Sequence, residues 1–120
     1  MSPHACVLVV DDEPLVRLGT AILFSDAGYD VLEAANAADA VQILRQHSEI
    51  ELLFTDIDMP GAMDGAALAG FVRDRYPPIR IMVASGKGSV DELGLPTGAL
   101  FLAKPYSHDT VLEAVADLNI

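Results

Sequence analysis

The stretch Leu52-Leu53-Phe54-Thr55-Asp56 is a short apolar run that ends in a carboxylate, and the same construction recurs along the chain. Cys6–Val10 runs into Asp11 and Asp12, Ile79–Ala84 (with Arg80 inside it) into Ser85, and Leu100–Ala103 into Lys104. A further short run, Asp30–Ala34, reads as a second strand. Such runs alternating with amphipathic segments predict repeated βα units and a parallel sheet flanked by helices on both faces. In an open parallel sheet, ligands bind outside the carboxyl ends of the strands. Three carboxylates, one hydroxyl and one ammonium are therefore expected to meet at one edge.

The segments between the strands fit this plan. Pro14 suits a first helical turn, and Leu15, Leu18 and Ile22 recur on one face until Gly28 supplies a stop. Asn36 reads as an N-cap with Asp39 three residues on, and Ala37, Val41 and Leu44 are expected to form the buried stripe of the helix. Ala67, Leu68, Phe71 and Val72 mark a third helix that ends at Tyr76-Pro77-Pro78. Ser107 caps a last helix with Val111, Val115 and Leu118 on its apolar face. Only fifteen residues, rich in glycine, separate Ser85 from Phe101, so a fourth helix there is expected to be short or irregular.

Length and composition agree with one domain over residues 1–120: 52% of the residues are apolar, enough for a packed core. No apolar run is long enough for a membrane span, residues 1–5 lack the start of a secretory signal, and the lone Cys6 can form no intramolecular disulfide. A cytoplasmic location and a buried structural thiol are expected. The net charge of −11, with no cluster of Lys or Arg, argues against direct nucleic-acid or anionic-membrane binding.

Asp11, Asp12 and Asp56 cannot share a pocket as bare anions without strong repulsion. A hard divalent cation with oxygen ligands resolves this, and Mg²⁺ suits a site with few carboxylates that also accepts a phosphate oxygen. Taken alone, Asp11-Asp12 could be an acidic helix start, Asp56 a turn residue and Ser85-Gly86 a turn. Together they read as a phosphoryl site. Asp56 is then the carboxylate nucleophile, Lys104 pairs with it or stabilises phosphoryl oxygens, and Ser85 donates to one of them. His4, His47 and His108 show no metal-ligand spacing, and Met59 and Met63 read as packing residues.

These residues resemble the receiver domain of bacterial two-component response regulators. The matching pieces are Val10-Asp11-Asp12-Glu13, Thr55-Asp56-Ile57-Asp58-Met59-Pro60, Met63-Asp64-Gly65, Ala84-Ser85-Gly86 and Lys104-Pro105-Tyr106, in that order over essentially the whole chain. The resemblance implies a flavodoxin-like parallel sheet in the order 2-1-3-4-5. It implies that Asp56 takes a phosphoryl group from a phosphohistidine of a sensor kinase or histidine phosphotransfer protein and so controls a downstream partner. It further implies Mg²⁺ on Asp12, Asp56 and the Asp58 backbone carbonyl, with Asp11 acting through water. Ser85 would be the switch hydroxyl and Phe101 the switch aromatic.

The chain departs from the family's plan in three places. The Met59–Gly65 loop is one residue longer than the commonest form, the Gly86–Gly98 segment is short, and Asp58 and Lys87 are expected to approach each other across the site mouth. Two other readings compete. A haloacid-dehalogenase-type phosphohydrolase would use Asp56 and Asp58, but that motif falls mid-chain here. A flavin binder would need a phosphate loop where Asp11-Asp12 stand.

Overall fold

The computed structural model describes residues 5–57, 64–86, 95–96 and 98–118. Five strands, β1 (Cys6–Val10), β2 (Asp30–Ala34), β3 (Ile50–Asp56), β4 (Arg80–Ser85) and β5 (Leu100–Ala103), form one sheet. Its order is β2-β1-β3-β4-β5, and every neighbouring pair is parallel. The described helices are α1 (Pro14–Asp26), α2 (Ala37–Gln46), α3 (Gly65–Arg75) and α4 (His108–Asp117). The fold class and strand order are those expected. The short segment after Ser85 falls at residues 87–94, outside the described residues, as do Asp58, Lys87, Met59 and Met63.

Side-chain alternation along the strands divides the core in two. Leu8, Val10, Leu53, Ile81 and Val83 pack with α2 and α3 on one face. Val7, Val9, Leu52, Phe54 and Met82 pack with α1 and α4 on the other. The central strands β1, β3 and β4 are almost wholly buried, which is why they read as continuous apolar runs.

The caps fall where expected. Asn36 accepts from the Asp39 amide at 2.8 Å and Ser107 from the Thr110 amide at 3.1 Å. Gly28, at φ 99°, follows α1 in the left-handed conformation that an L side chain resists.

The sequence places an apolar stripe on α1 without saying which way it faces. Leu15, Leu18 and Ile22 do share a face, but that face is exposed, Leu15 to 83%. The buried residues of α1 are Thr20, Ala21, Leu23 and Phe24. Phe24 decides the rotation of the helix. Its ring is fully buried and lies edge-on to Phe54 at 5.6 Å and to Tyr29 at 5.9 Å. A helix apolar on two faces cannot be phased by periodicity alone. On α3, Leu68, Ala69 and Val72 are buried, Phe71 is half-buried and Ala67 is exposed.

Candidate functional site

The parallel sheet brings the ends of β1 and β3 side by side, with Val10 opposite Thr55. Asp11, Asp12 and Asp56 follow from this register, and their carboxylates each offer an oxygen within 4.8 Å of the other two. Asp11 is held at three atoms. Its amide donates to the Ala34 carbonyl at 3.2 Å, its Oδ1 accepts from the Glu13 amide at 2.9 Å, and its carbonyl accepts from Arg17 at 2.8 Å.

Asp56 is the last residue of β3 and is buried. The backbone around it is fixed by Thr55 Oγ1, which donates to the Asp56 carbonyl at 3.0 Å, and by the Ile57 amide, which donates to Ala84 at 3.0 Å. Gly65, at the start of α3, packs directly on this backbone, its amide donating to the Ile57 carbonyl at 3.2 Å. A Cβ at residue 65 would overlap the Asp56 carbonyl oxygen and lie 2.6 Å from Ile57 Cα. Asp64 caps the same helix by accepting from the Ala67 amide at 2.9 Å. Only glycine allows α3 to begin this close to the nucleophile candidate.

Lys104 arrives from the end of β5. Its amide donates to the Ser85 carbonyl at 2.9 Å, and its Nζ donates to Asp56 Oδ1 at 2.9 Å. Ser85 is buried at the end of β4, one residue beyond Ala84, the register partner of Asp56. Phe101 is half-buried on β5 opposite Val83, against the α2–α3 face of the core.

The electrostatics are those of a crowded anionic cleft. Burial pushes the Asp11 carboxyl above the usual range; the Glu13 amide opposes this, and the Asp56 charge adds to it. Burial works against the Lys104 ammonium, yet the hydrogen bond and charge of Asp56, with the charge of Asp11, outweigh it and raise its pKa. Mutually repelling carboxylates suit a hard divalent cation, which would share them with the neighbouring ammonium. Cys6, by contrast, is a buried thiol at the far end of β1, pushed up to about 11 by burial and the charges of Glu49, Asp30 and Glu51.

Three contributors escaped the sequence reading. Gly65 stands in a quoted motif, but its contact with Asp56 depends on how α3 meets β3. Arg17 lies in none of the quoted motifs. Tyr106 bonds the Thr20 hydroxyl through its own at 3.3 Å and lays its ring on Phe54 at 5.8 Å, tying the Lys104 loop to α1. Between them runs a groove of about 550 Å³, lined by Leu15, Val16, Leu23, Lys104, Pro105 and His108 among others. The exposed face of α1 borders it. Among the described residues, no helix is long and apolar enough to cross a membrane.

A family model described as the response regulator receiver domain matches residues 7–116. The chain is 33% identical to the sensor kinase CckA of Brucella abortus, over 98% of this chain and 13% of that protein. It spans less than half the length of this and of another curated relative it matches. A response regulator receiver protein from Pseudomonas putida superposes with a TM-score of 0.82 at 29% identity, covering 98% of this chain and 99% of that one. The CheX–CheY–BeF3–Mg complex from Borrelia burgdorferi gives a TM-score of 0.86 at 27% identity, covering 96% and 89%.

Proposed function

Since the chain belongs to the response regulator receiver domain family, we propose that Asp56 is its phosphoacceptor and that residues 1–120 act as one cytoplasmic, phosphorylation-controlled switch. The observation that carries this reading is the Lys104–Asp56 contact of 2.9 Å beside two further carboxylates. A haloacid-dehalogenase-type phosphohydrolase finds no support among the relatives, which are response regulators and sensor kinases.

The donor is a phosphohistidine of a sensor kinase or histidine phosphotransfer protein. An Asp56 carboxylate oxygen attacks phosphorus, the O–P bond forms as the N–P bond breaks, and the imidazole leaves with the electron pair and takes up a proton. Lys104 then turns from the carboxylate to the transferred phosphoryl oxygens, and the Ser85 hydroxyl donates to one of them. Phe101 follows Ser85 inward and alters the surface that a downstream partner reads. Attack of water on phosphorus returns Asp56 and releases inorganic phosphate, the self-directed step that ends the signal.

The residues fit Mg²⁺, which the Borrelia neighbour holds together with BeF3. Asp12 and Asp56 would hold it directly, with the Asp58 carbonyl, and Asp11 through water. When bound, it neutralises the carboxylates and the phosphoryl oxygens together.

The exposed apolar face of α1 is the docking surface for the phosphohistidine donor. Leu15, Val16, Leu18 and Ile22 form a patch the core does not use, and the adjoining groove reaches Lys104. The test of the whole reading is intact mass after incubation with Mg²⁺ and acetyl phosphate. The parent gains one phosphoryl adduct and Asp56→Asn gains none; an adduct on both moves the acceptor elsewhere. Continuous turnover of p-nitrophenyl phosphate would favour a hydrolase instead.

A further inference from the structure

Arg17 has no part in the chemistry above, yet it touches the site's framework twice. Its Nη1 donates to the Asp11 main-chain carbonyl at 2.8 Å, and its Nε donates to Glu33 Oε1 at 3.2 Å. Its own amide closes the first turn of α1 by donating to the Glu13 carbonyl at 2.9 Å. Glu33 lies on β2, paired with Val9 of β1. One guanidinium therefore joins α1, the turn that carries Asp11 and Asp12, and the neighbouring strand. We propose that Arg17, charge-balanced by Glu33, is a positioning residue that holds the Asp11–Asp12 turn at its spacing from Asp56 and so sets the affinity for the divalent cation.

Two physical arguments support the assignment. Without a cation, the repulsion among Asp11, Asp12 and Asp56 drives the β1–α1 turn outward from β3. The Arg17 bond grips the main chain of that turn from α1, on a side chain only 20% exposed. A bare positive charge beside a cation site would weaken cation binding, and the Glu33 carboxylate cancels it. Arginine suits the task because its planar fork serves two acceptors at once, which a lysine ammonium on a flexible stem does not reproduce.

This inference rests on the reading of Asp11, Asp12 and Asp56 as a cation site, and the experiment separates the two. MgCl2 is titrated calorimetrically into metal-free parent, Arg17→Met, Arg17→Lys and Glu33→Gln, with urea midpoints taken in EDTA. Arg17→Met weakens Mg²⁺ about tenfold, the low end for residues that orient metal ligands, and Arg17→Lys recovers part of the loss. Glu33→Gln weakens it by about twofold, and that loss alone shrinks as salt screens the unbalanced charge. At saturating Mg²⁺, Arg17→Met accepts phosphate from acetyl phosphate at the parental rate, because the defect is one of affinity. Parental Mg²⁺ affinity in Arg17→Met, or slow phosphorylation that saturating Mg²⁺ does not correct, overturns the proposal. If Arg17→Met does not fold, parental affinity in both Arg17→Lys and Glu33→Gln overturns it as well. A parent that binds no Mg²⁺ overturns the cation site itself, and the strut with it.

Discussion

Replacing Lys104 by methionine removes the ammonium while keeping most of the side chain's length, and so tests how the cleft balances its charge. The ion pair spans 2.9 Å, with the side chains 31% and 7% exposed. At an effective dielectric constant of about 20, two unit charges at that separation attract by about 6 kcal/mol. Drying the two groups offsets most of this, and the exposure of Lys104 screens it further, leaving about 1–3 kcal/mol for the loss in metal-free buffer. With a urea dependence of about 1–3 kcal/mol per molar, the midpoint falls by about 1 M. The variant's cleft is also more negative, so it binds Mg²⁺ more tightly than the parent, and millimolar Mg²⁺ recovers much of the deficit. Phosphorylation from acetyl phosphate is nonetheless slower, because Lys104 no longer meets the phosphoryl oxygens.

The pH dependence carries a sign that checks the same argument. The Lys104 pKa is raised in the fold, so its contribution is complete below the ordinary value of 10.5 and is lost as pH rises through the folded value. Parent and Lys104→Met therefore converge in stability only in strong base. The Asp11 carboxyl is also raised, which means that stability declines as pH rises from 3.8 through its folded value. Losing Lys104 removes one of the charges that restrain this shift, so mild acid restores more stability to the variant than to the parent. Equal Mg²⁺ affinities in the two proteins, with a deficit indifferent to Mg²⁺, would refute the premise that ammonium and cation share these carboxylates.

Gly65→Ala sets a Cβ against the Asp56 carbonyl and lowers stability by about 3 kcal/mol; thermal melts and acetyl phosphate labelling should fall together, and an unchanged melt counts against the contact. Cys6 stays unreactive to a thiol reagent at pH 8 until urea unfolds the chain. Its shift from 9.0 to about 11 means that stability falls as pH rises from 9 through 11, and Cys6→Ala flattens that decline by up to about 2–3 kcal/mol. Leu18→Glu changes stability by less than about 0.5 kcal/mol, leaves labelling by acetyl phosphate intact and slows transfer from a phosphohistidine protein. Equal slowing with both donors would assign Leu18 to the fold and not to docking.

The strands and the site were legible because they depend on one-dimensional signals. A run such as Leu52–Thr55 needs only apolar residues and a polar stop, and a parallel sheet carries every such stop to the same edge. Lys104 was legible through its place after β5, and its long side chain passes the end of β4 to reach Asp56. Gly65 and Arg17 were not, because their partners are main-chain atoms that only the tertiary arrangement supplies: the Asp56 carbonyl for one and the Asp11 carbonyl for the other. Sequence periodicity on α1 found a real stripe but not the side it faces. Phe24, which sets the true rotation, is one residue whose weight comes from Phe54 and Tyr29 across the core.

The exposure of that stripe is itself informative. Core packing accounts for Thr20, Ala21, Leu23 and Phe24, and among the described residues nothing else requires Leu15, Val16, Leu18 or Ile22 to be apolar. Exposed leucines at these positions gain nothing for stability and cost solubility, unless a partner covers them. On the proposed function, the partner that comes closest to Asp56 is the phosphoryl donor, and α1 starts two residues after Asp12. The Thr20–Tyr106 hydroxyl contact then acquires a role. On that reading it joins the helix proposed for donor docking to the loop that carries Lys104, so docking pressure on α1 would be felt two residues from the ammonium paired with Asp56. Tyr106→Phe, which keeps the ring on Phe54 and removes only the hydroxyl, separates that coupling from packing.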